Sequence, residues 1–129
     1  MGGESILLCI FPTRKKLMHS RYFDKLTGLL TWVHPKLDAA QAVEFKNCFG
    51  AVAGYVNGHI FISCGKFGVA LRLPPETLMM VFREKDVKHL KYFPKGHIKK
   101  EYAVLPKRIL ENKKQFQKLI DQSIAFFGG

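Results

Sequence analysis

The chain has 129 residues, 47% of them hydrophobic, enough for one domain that buries roughly two thirds of its unfolded surface and needs neither a disulfide nor a structural metal to fold. Its three cysteines, Cys9, Cys48 and Cys64, match no disulfide framework and no paired zinc spacing, so they read as small buried hydrophobes in a reducing cytosol. The formal net charge of +11 is uneven, because residues 65–129 hold fourteen Lys or Arg against six acids, an asymmetry that attracts polyanions and above all nucleic acid.

At the start of the chain, the aliphatic run Ile6 to Phe11 is too short to span a membrane and follows an acidic Glu4 where a secretory signal would carry basic residues. Residues 1–17 are expected to be an extension outside the core, or else to add an edge strand through Ile6 to Phe11, and residues 18–129 to form the single domain. A first helix is expected from about Ser20 to Trp32, with Tyr22, Phe23, Leu26, Leu29, Leu30 and Val33 on one stripe and His34-Pro35 as its stop. Asp38 with Gln41 three residues on predicts a short helical turn over Ala39 to Val43.

Asn57-Gly58 between two apolar runs predicts a two-residue hairpin turn that places Tyr55 opposite Ile60, Gly54 opposite Phe61 and Ala53 opposite Ile62. A second turn at Gly65-Lys66 would then set Cys64 against Phe67, Ile62 against Val69 and Ile60 against Leu71. Together the two turns sort Ala53, Tyr55, Ile60, Ile62, Cys64, Phe67, Val69, Leu71 and Leu73 onto a core face. The opposite face receives Val52, Gly54, Val56, His59, Phe61, Ser63, Gly68, Ala70 and Arg72. There Phe61 lies over its glycine neighbours beneath a loop, or else Val52, Val56, His59, Phe61, Ala70 and Arg72 make a protein-contact patch, including contact with a second copy.

Leu73-Pro74-Pro75-Glu76 opens a helix with Leu78, Met79, Val81 and Phe82 facing inward, and Met79-Met80 reads as core filler. Two strands follow, around His89 to Phe93 and Lys100 to Leu105, joined by a turn on Pro94-Lys95-Gly96. Pro106 opens a short helical segment, and Asn112 with Gln115 caps a final helix carrying Phe116, Leu119, Ile120, Ser123, Ile124 and Phe127, which Gly128-Gly129 ends. The expected architecture is α+β, a two-layer sandwich of a five-stranded antiparallel sheet, three-stranded meander plus hairpin, with helices packed on one face.

The five histidines never stand at i, i+4 on a predicted helix, so no metal site is expected. Ser63-Cys64-Gly65 lies in a hairpin and lacks the elbow of a nucleophilic serine, while the glycines punctuate an antiparallel meander and do not cradle a dinucleotide. No catalytic residue and no cofactor is expected. The basic stretch Lys88, Lys91, Lys95, His97, Lys99, Lys100, Lys107 and Arg108, interleaved with Tyr92, Phe93 and Tyr102, is the candidate for nucleic-acid contact. Burial of the three aromatics inside strands, beneath a solvated lysine rim, is the competing reading.

The stretch from Tyr22 to Phe127, and most specifically Cys48 to Tyr102, resembles the TfoX N-terminal domain family. The likeness rests on Phe49-Gly50, Tyr55-Val56-Asn57-Gly58, Leu71-Arg72-Leu73, Tyr92 to His97 with Glu101-Tyr102, and the final helix bearing Ser123-Ile124. It implies a two-layer α+β fold and a cytoplasmic role in regulating bacterial competence beside transcription factors, with no catalytic residues to carry over. The leading expectation is therefore a non-enzymatic regulatory module with a protein partner and weak backbone contacts to nucleic acid. With about six phosphates engaged, affinity would fall by about three orders of magnitude between 50 and 200 mM salt. The alternatives are an accessory or enzymatic role in nucleic-acid metabolism, with His97, Glu101 and Tyr102 lining a pocket, and a structural homodimer.

Overall fold

A computed structural model describes residues 20–38 and 41–128. The extension expected over residues 1–17, with its strand at Ile6 to Phe11, lies outside the described residues. Helix α1 runs Ser20–Val33. Its buried stripe is Leu26, Leu30 and Val33, with Tyr22, Phe23 and Leu29 half-covered beside it, and it ends where His34 turns left-handed at φ 50°. Gln117 Nε2 donates to the Val33 carbonyl at 2.6 Å and Asp121 Oδ1 accepts from the Lys36 amide at 2.9 Å, so the last helix ties down the end of the first.

Six strands, one more than expected, form a single antiparallel sheet in the order β1-β2-β3-β4-β6-β5. The addition is β1 (Val43–Cys48), which starts where a helical turn was expected to finish. Val43 and Phe45 point into the core while Glu44 and Lys46 face solvent, the alternation of a half-buried strand. Ala39 and Ala40, within the expected turn, lie outside the described residues, while the Gln41 amide bonds back to the Asp38 carbonyl at 3.0 Å.

β2 (Ala51–Val56) and β3 (His59–Gly65) are joined by the Asn57-Gly58 turn, with φ of 53° and 79°. Both central residues are left-handed, as a type I′ turn requires. The pair Tyr55 and Ile60 stands as expected, but the next pair is Gly54 with Ile62, leaving Phe61 as an extra residue in a bulge. Because side chains alternate, one inserted residue exchanges the faces of everything beyond it. Val52, Gly54 and Val56 therefore join Ile62 and Cys64 on the core side, while Ala53 pairs with Ser63 on the other. Phe61 is fully buried in the main core, not exposed on a second face. Its ring packs over Gly54, where an added Cβ would lie 2.9 Å from Ile62 and 3.4 Å from the Phe45 and Phe61 rings.

The turn into β4 (Gly68–Arg72) also falls one residue later than expected, on Lys66-Phe67, so Cys64 pairs with Val69 and Ile62 with Leu71. Moving the turn by one shifts the pairing by two, which keeps these residues on one face. Helix α2 (Pro75–Val81) buries Val81 and half-covers Leu78, but Met79 and Met80 are 68% and 62% exposed and fill no core. β5 (Lys88–Leu90) and β6 (Lys99–Leu105) complete the sheet, with β6 paired between β4 and β5.

Helices α3 (Lys107–Leu110) and α4 (Lys113–Phe127) follow, and the Asn112 side chain accepts from the Gln115 amide at 3.2 Å as the cap of α4. Phe116, Leu119, Ile120 and Ile124 of α4 enter the main core with α1 and one face of the sheet. The Ser123 hydroxyl, wholly buried, donates to the carbonyl of Arg72 and pins α4 on β4. At its end the Gly128 carbonyl accepts from Asn57 Nδ2 at 2.9 Å, so the hairpin turn docks on the helix terminus.

Phe61→Ala is expected to lower stability by about 3–5 kcal/mol, as loss of a core aromatic does. Equilibrium denaturation in urea measures this, and a change near zero would place Phe61 at the surface.

Candidate functional site

Among the described residues no helix packs on the second face of the sheet. That face holds a smaller apolar cluster of Ala70, Leu90 and Val104, flanked by Phe67, Tyr92 and Tyr102. The connection from β5 to β6, residues 91–98, folds back over this face. It is closed by a turn in which the Gly96 amide donates to the Phe93 carbonyl at 2.9 Å. Tyr92 crosses to β3, where its hydroxyl lies 3.2 Å from the fully buried Ser63 Oγ. That bond matters because a buried hydroxyl left without a partner costs roughly 1–3 kcal/mol.

Tyr92 also stands between two aromatic rings, Phe49 at 5.3 Å and Phe67 at 5.5 Å. Phe49 in turn meets Phe93 at 5.7 Å, so four rings form a continuous row from Phe67 to Phe93. Phe49 and Gly50 make the two-residue turn from β1 to β2 with φ of 49° and 79°. A phenylalanine in the left-handed region is disfavoured, by roughly 1–2 kcal/mol on steric grounds. This one is nevertheless 62% exposed, and Phe93 is 55% exposed. The expectation that Phe93 is buried inside a strand is therefore corrected, since β5 stops at Leu90 and Phe93 lies beyond it. Tyr92 and Tyr102 are half-covered.

Lysines surround the row. From Lys85 to Lys100 there are six lysines and a single acid, Asp86. Lys88, Lys91, Lys95, Lys99 and Lys100, together with His97, are exposed along β5, the connection and the start of β6. Lys46, across the sheet on β1, places its ammonium 4.9 Å from the Tyr55 ring. Lys107 and Arg108 stand on α3 and are differently engaged. The Arg108 guanidinium bonds to Glu84 and, at 2.6 and 2.7 Å, to both oxygens of Asp86. This hydrogen bonding holds the Asp86 carboxyl below the usual carboxylate range and raises the guanidinium further. Arg108 thus fastens α3 to the segment after α2, and its charge is already spent. Lys107 faces Glu111 at 3.7 Å, an exposed pair of small value.

Of the residues expected to form a protein-contact patch, Val52, Val56, Phe61 and Ala70 are fully buried, the first three by the bulge and Ala70 beneath Leu90 and Val104. Arg72 is a hub inside the fold. Its Nε donates to Glu101 Oε1 at 3.0 Å, another nitrogen donates to the Ile60 carbonyl at 3.3 Å, and Cζ sits 4.0 Å from the Phe127 ring centroid. His59 alone of the set is exposed. A homodimer built on Phe61 therefore has no exposed aromatic to use. Nor do His97, Glu101 and Tyr102 join in one cluster: Glu101 pairs with Arg72, Tyr102 packs against the small apolar cluster, and His97 is exposed.

Burial pushes the Tyr102 phenol up to about 12 and raises Tyr92 further, with the neighbouring Cys48 adding to the rise at Tyr92 and the Ser63 hydrogen bond opposing it. Among the described residues no group of three or more His, Cys, Asp or Glu could hold a metal ion, and no helix is long and apolar enough to cross a membrane.

The domain is thus α+β, with one sheet face under helices and the other presenting an aromatic row rimmed by lysines. The model of the TfoX N-terminal domain matches residues 36–127, and the chain belongs to that family. No curated protein and no solved structure matches it.

Neutral phenols at Tyr92 and Tyr102 favour the fold. Their contribution is whole below the unfolded tyrosine value near 10 and is lost as pH rises through the raised folded values, about 12 for Tyr102. Phenolate absorbance followed with far-ultraviolet dichroism is expected to show these two ionising late, together with unfolding. The late component should shrink to that of Tyr55, which burial also raises, in a Tyr92→Phe, Tyr102→Phe double variant. Tyr92→Phe alone is expected to cost about 1 kcal/mol in a urea titration, through the stranded Ser63 hydroxyl.

Proposed function

We propose that this domain is a non-enzymatic regulatory module of the competence-regulator type that engages the backbone and bases of nucleic acid through the aromatic row and the β5–β6 edge. The observation that carries the reading is the exposure of Phe49 and Phe93 in mutual contact, within or beside a stretch, residues 85–100, that holds six lysines and one acid, itself paired with Arg108. Phenyl rings in that setting stack bases while ammonium groups hold phosphates. The left-handed Phe49 adds support, because a bulky residue kept in a disfavoured conformation at an exposed turn is typical of a contact site. The cytoplasm of a bacterium is the setting in which such a module would act.

A protein partner, such as a transcription factor, is the second reading. It draws on the same exposed rings and Ile98, which would form an apolar centre inside a basic rim.

Titration of fluorescent oligothymidylate by the full chain tests the first reading. Affinity should fall by more than about a hundredfold between 50 and 200 mM salt, from about six phosphate contacts at the single-strand slope. Phe93→Ala should weaken binding by about tenfold at constant salt, the loss of one stacked base. Phe49→Asn should weaken it similarly while leaving thermal stability unchanged or higher, since asparagine tolerates the left-handed region. Absence of binding at 50 mM salt would overturn the nucleic-acid reading and leave the protein partner.

A further inference from the structure

Between α1, the sheet and α3 there is a hollow of about 520 Å³, within the size range of small-molecule sites. Its apolar lining is Leu29 and Trp32 from α1, Val69 from β4, Leu105 from β6 and Leu110 from α3. Val69, Leu105 and Leu110 belong to the main core, so the hollow reaches the protein interior. Trp32, next to the buried Val33 at the end of α1, is 40% exposed beside it.

The charged part of the lining is asymmetric. Lys25 and Lys107 contribute two cations against the single carboxylate of Glu111, and Lys113 places a third ammonium 6.0 Å from the Trp32 ring. Lys25 makes no salt bridge among the described residues. The Lys107–Glu111 pair is 3.7 Å apart with both side chains largely in water, so it gives up little when Lys107 turns to another anion. A neutral apolar guest would leave these cations unused, and a polyanion would find the walls apolar. The combination fits one class of guest, an amphiphile with an alkyl or aryl body and a single carboxylate.

We propose that this hollow is a binding site for a small apolar carboxylate, its body against Trp32, Leu105 and Leu110 and its carboxylate between Lys25 and Lys107. Trp32 is the only tryptophan in the chain, so intrinsic fluorescence reports on this hollow alone. The test is titration of the full chain with decanoate below its micellar concentration, alongside decanol and acetate. The expected result is a saturable blue shift with decanoate, at least about tenfold weaker half-saturation with decanol, and no response to acetate, matching a charge-assisted contact. Lys25→Gln combined with Lys107→Gln, both exposed and harmless to folding, should abolish the preference for decanoate while leaving the decanol response intact. Equal responses to decanoate and decanol would overturn the proposal, as would a preference that survives the double variant. No response with emission already blue would also overturn it: if the blue emission depends on protein concentration a second copy fills the hollow, and if not the chain itself does.

Discussion

The extra residue at Phe61 decides which side of the sheet is inside. In a strand the faces alternate strictly, so without the bulge β2 would direct Ala53 and Tyr55 under the helices and leave Val52 and Val56 in water. With it, Phe61 joins Phe45 and Ile62 over Gly54, and α1 and α4 have a surface to cover. Glycine suits position 54 because an added Cβ there would sit 2.9 Å from the Ile62 side chain and force it to shift. The docking of α4 through Ser123 on the Arg72 carbonyl, and of the Asn57 side chain on its end, both depend on that arrangement. A bulge is therefore a specification of the core here, not a defect in the ladder.

The same exchange of faces leaves the second side of the sheet with mostly small residues over β2 and β3: Ile60 stands opposite Tyr55 near the hairpin turn, but Ala53 and Ser63 stand opposite one another beyond it. A small-residue surface cannot hold a helix by burial alone. It is covered instead by one tyrosine, which supplies a ring for area and a hydroxyl for Ser63. A single connecting segment covers less than a helix would, so Phe49 and Phe93 remain in water. The exposed rings are thus a structural consequence of how thinly that face is covered; the type I′ turn sets the left-handed conformation at Phe49, and the choice of phenylalanine there is the part that the turn does not account for.

Much of the fold was legible. The α1 and α4 stripes, the Asn112 cap and the Asn57-Gly58 turn are local patterns whose physics is complete within a few residues, and each stands in the structure as read. What was not legible was non-local. The bulge has no sequence signal of its own, because it is chosen by the packing of Phe61 against residues of β1 and α4. Phe49-Gly50 hides a type I′ turn, since phenylalanine is not a turn residue, and with that turn unrecognised β1 had no partner to reveal it. Met79 and Met80 sit at apolar positions of a helix too short to bury more than one side fully. The candidate site was half legible: the lysines and Tyr92, Phe93 could be named from composition, whereas Phe49 belongs to the row only through the fold.

Charge on this protein is divided by how it is held. Among the described residues, Arg72 and Arg108 are the guanidinium groups held by carboxylates distant in sequence, Glu101 for one and Glu84 with Asp86 for the other. Their planar forks suit two-point bonding; Arg72 reinforces the pairing of β4 with β6, and Arg108 joins α3 to the segment after α2, which the sheet alone leaves apart. The lysines do the opposite. Spread along β5, the connection and β6, with the nearby acids Asp86 and Glu101 already taken by Arg108 and Arg72, they keep compact, hydrated charges in solvent where a flexible anion can move among them. Arg72 and Arg108 brace the fold while the lysines face outward, so a high net charge can be carried without weakening the core, and six of those lysines lie within residues 85–100, beside the exposed Phe93.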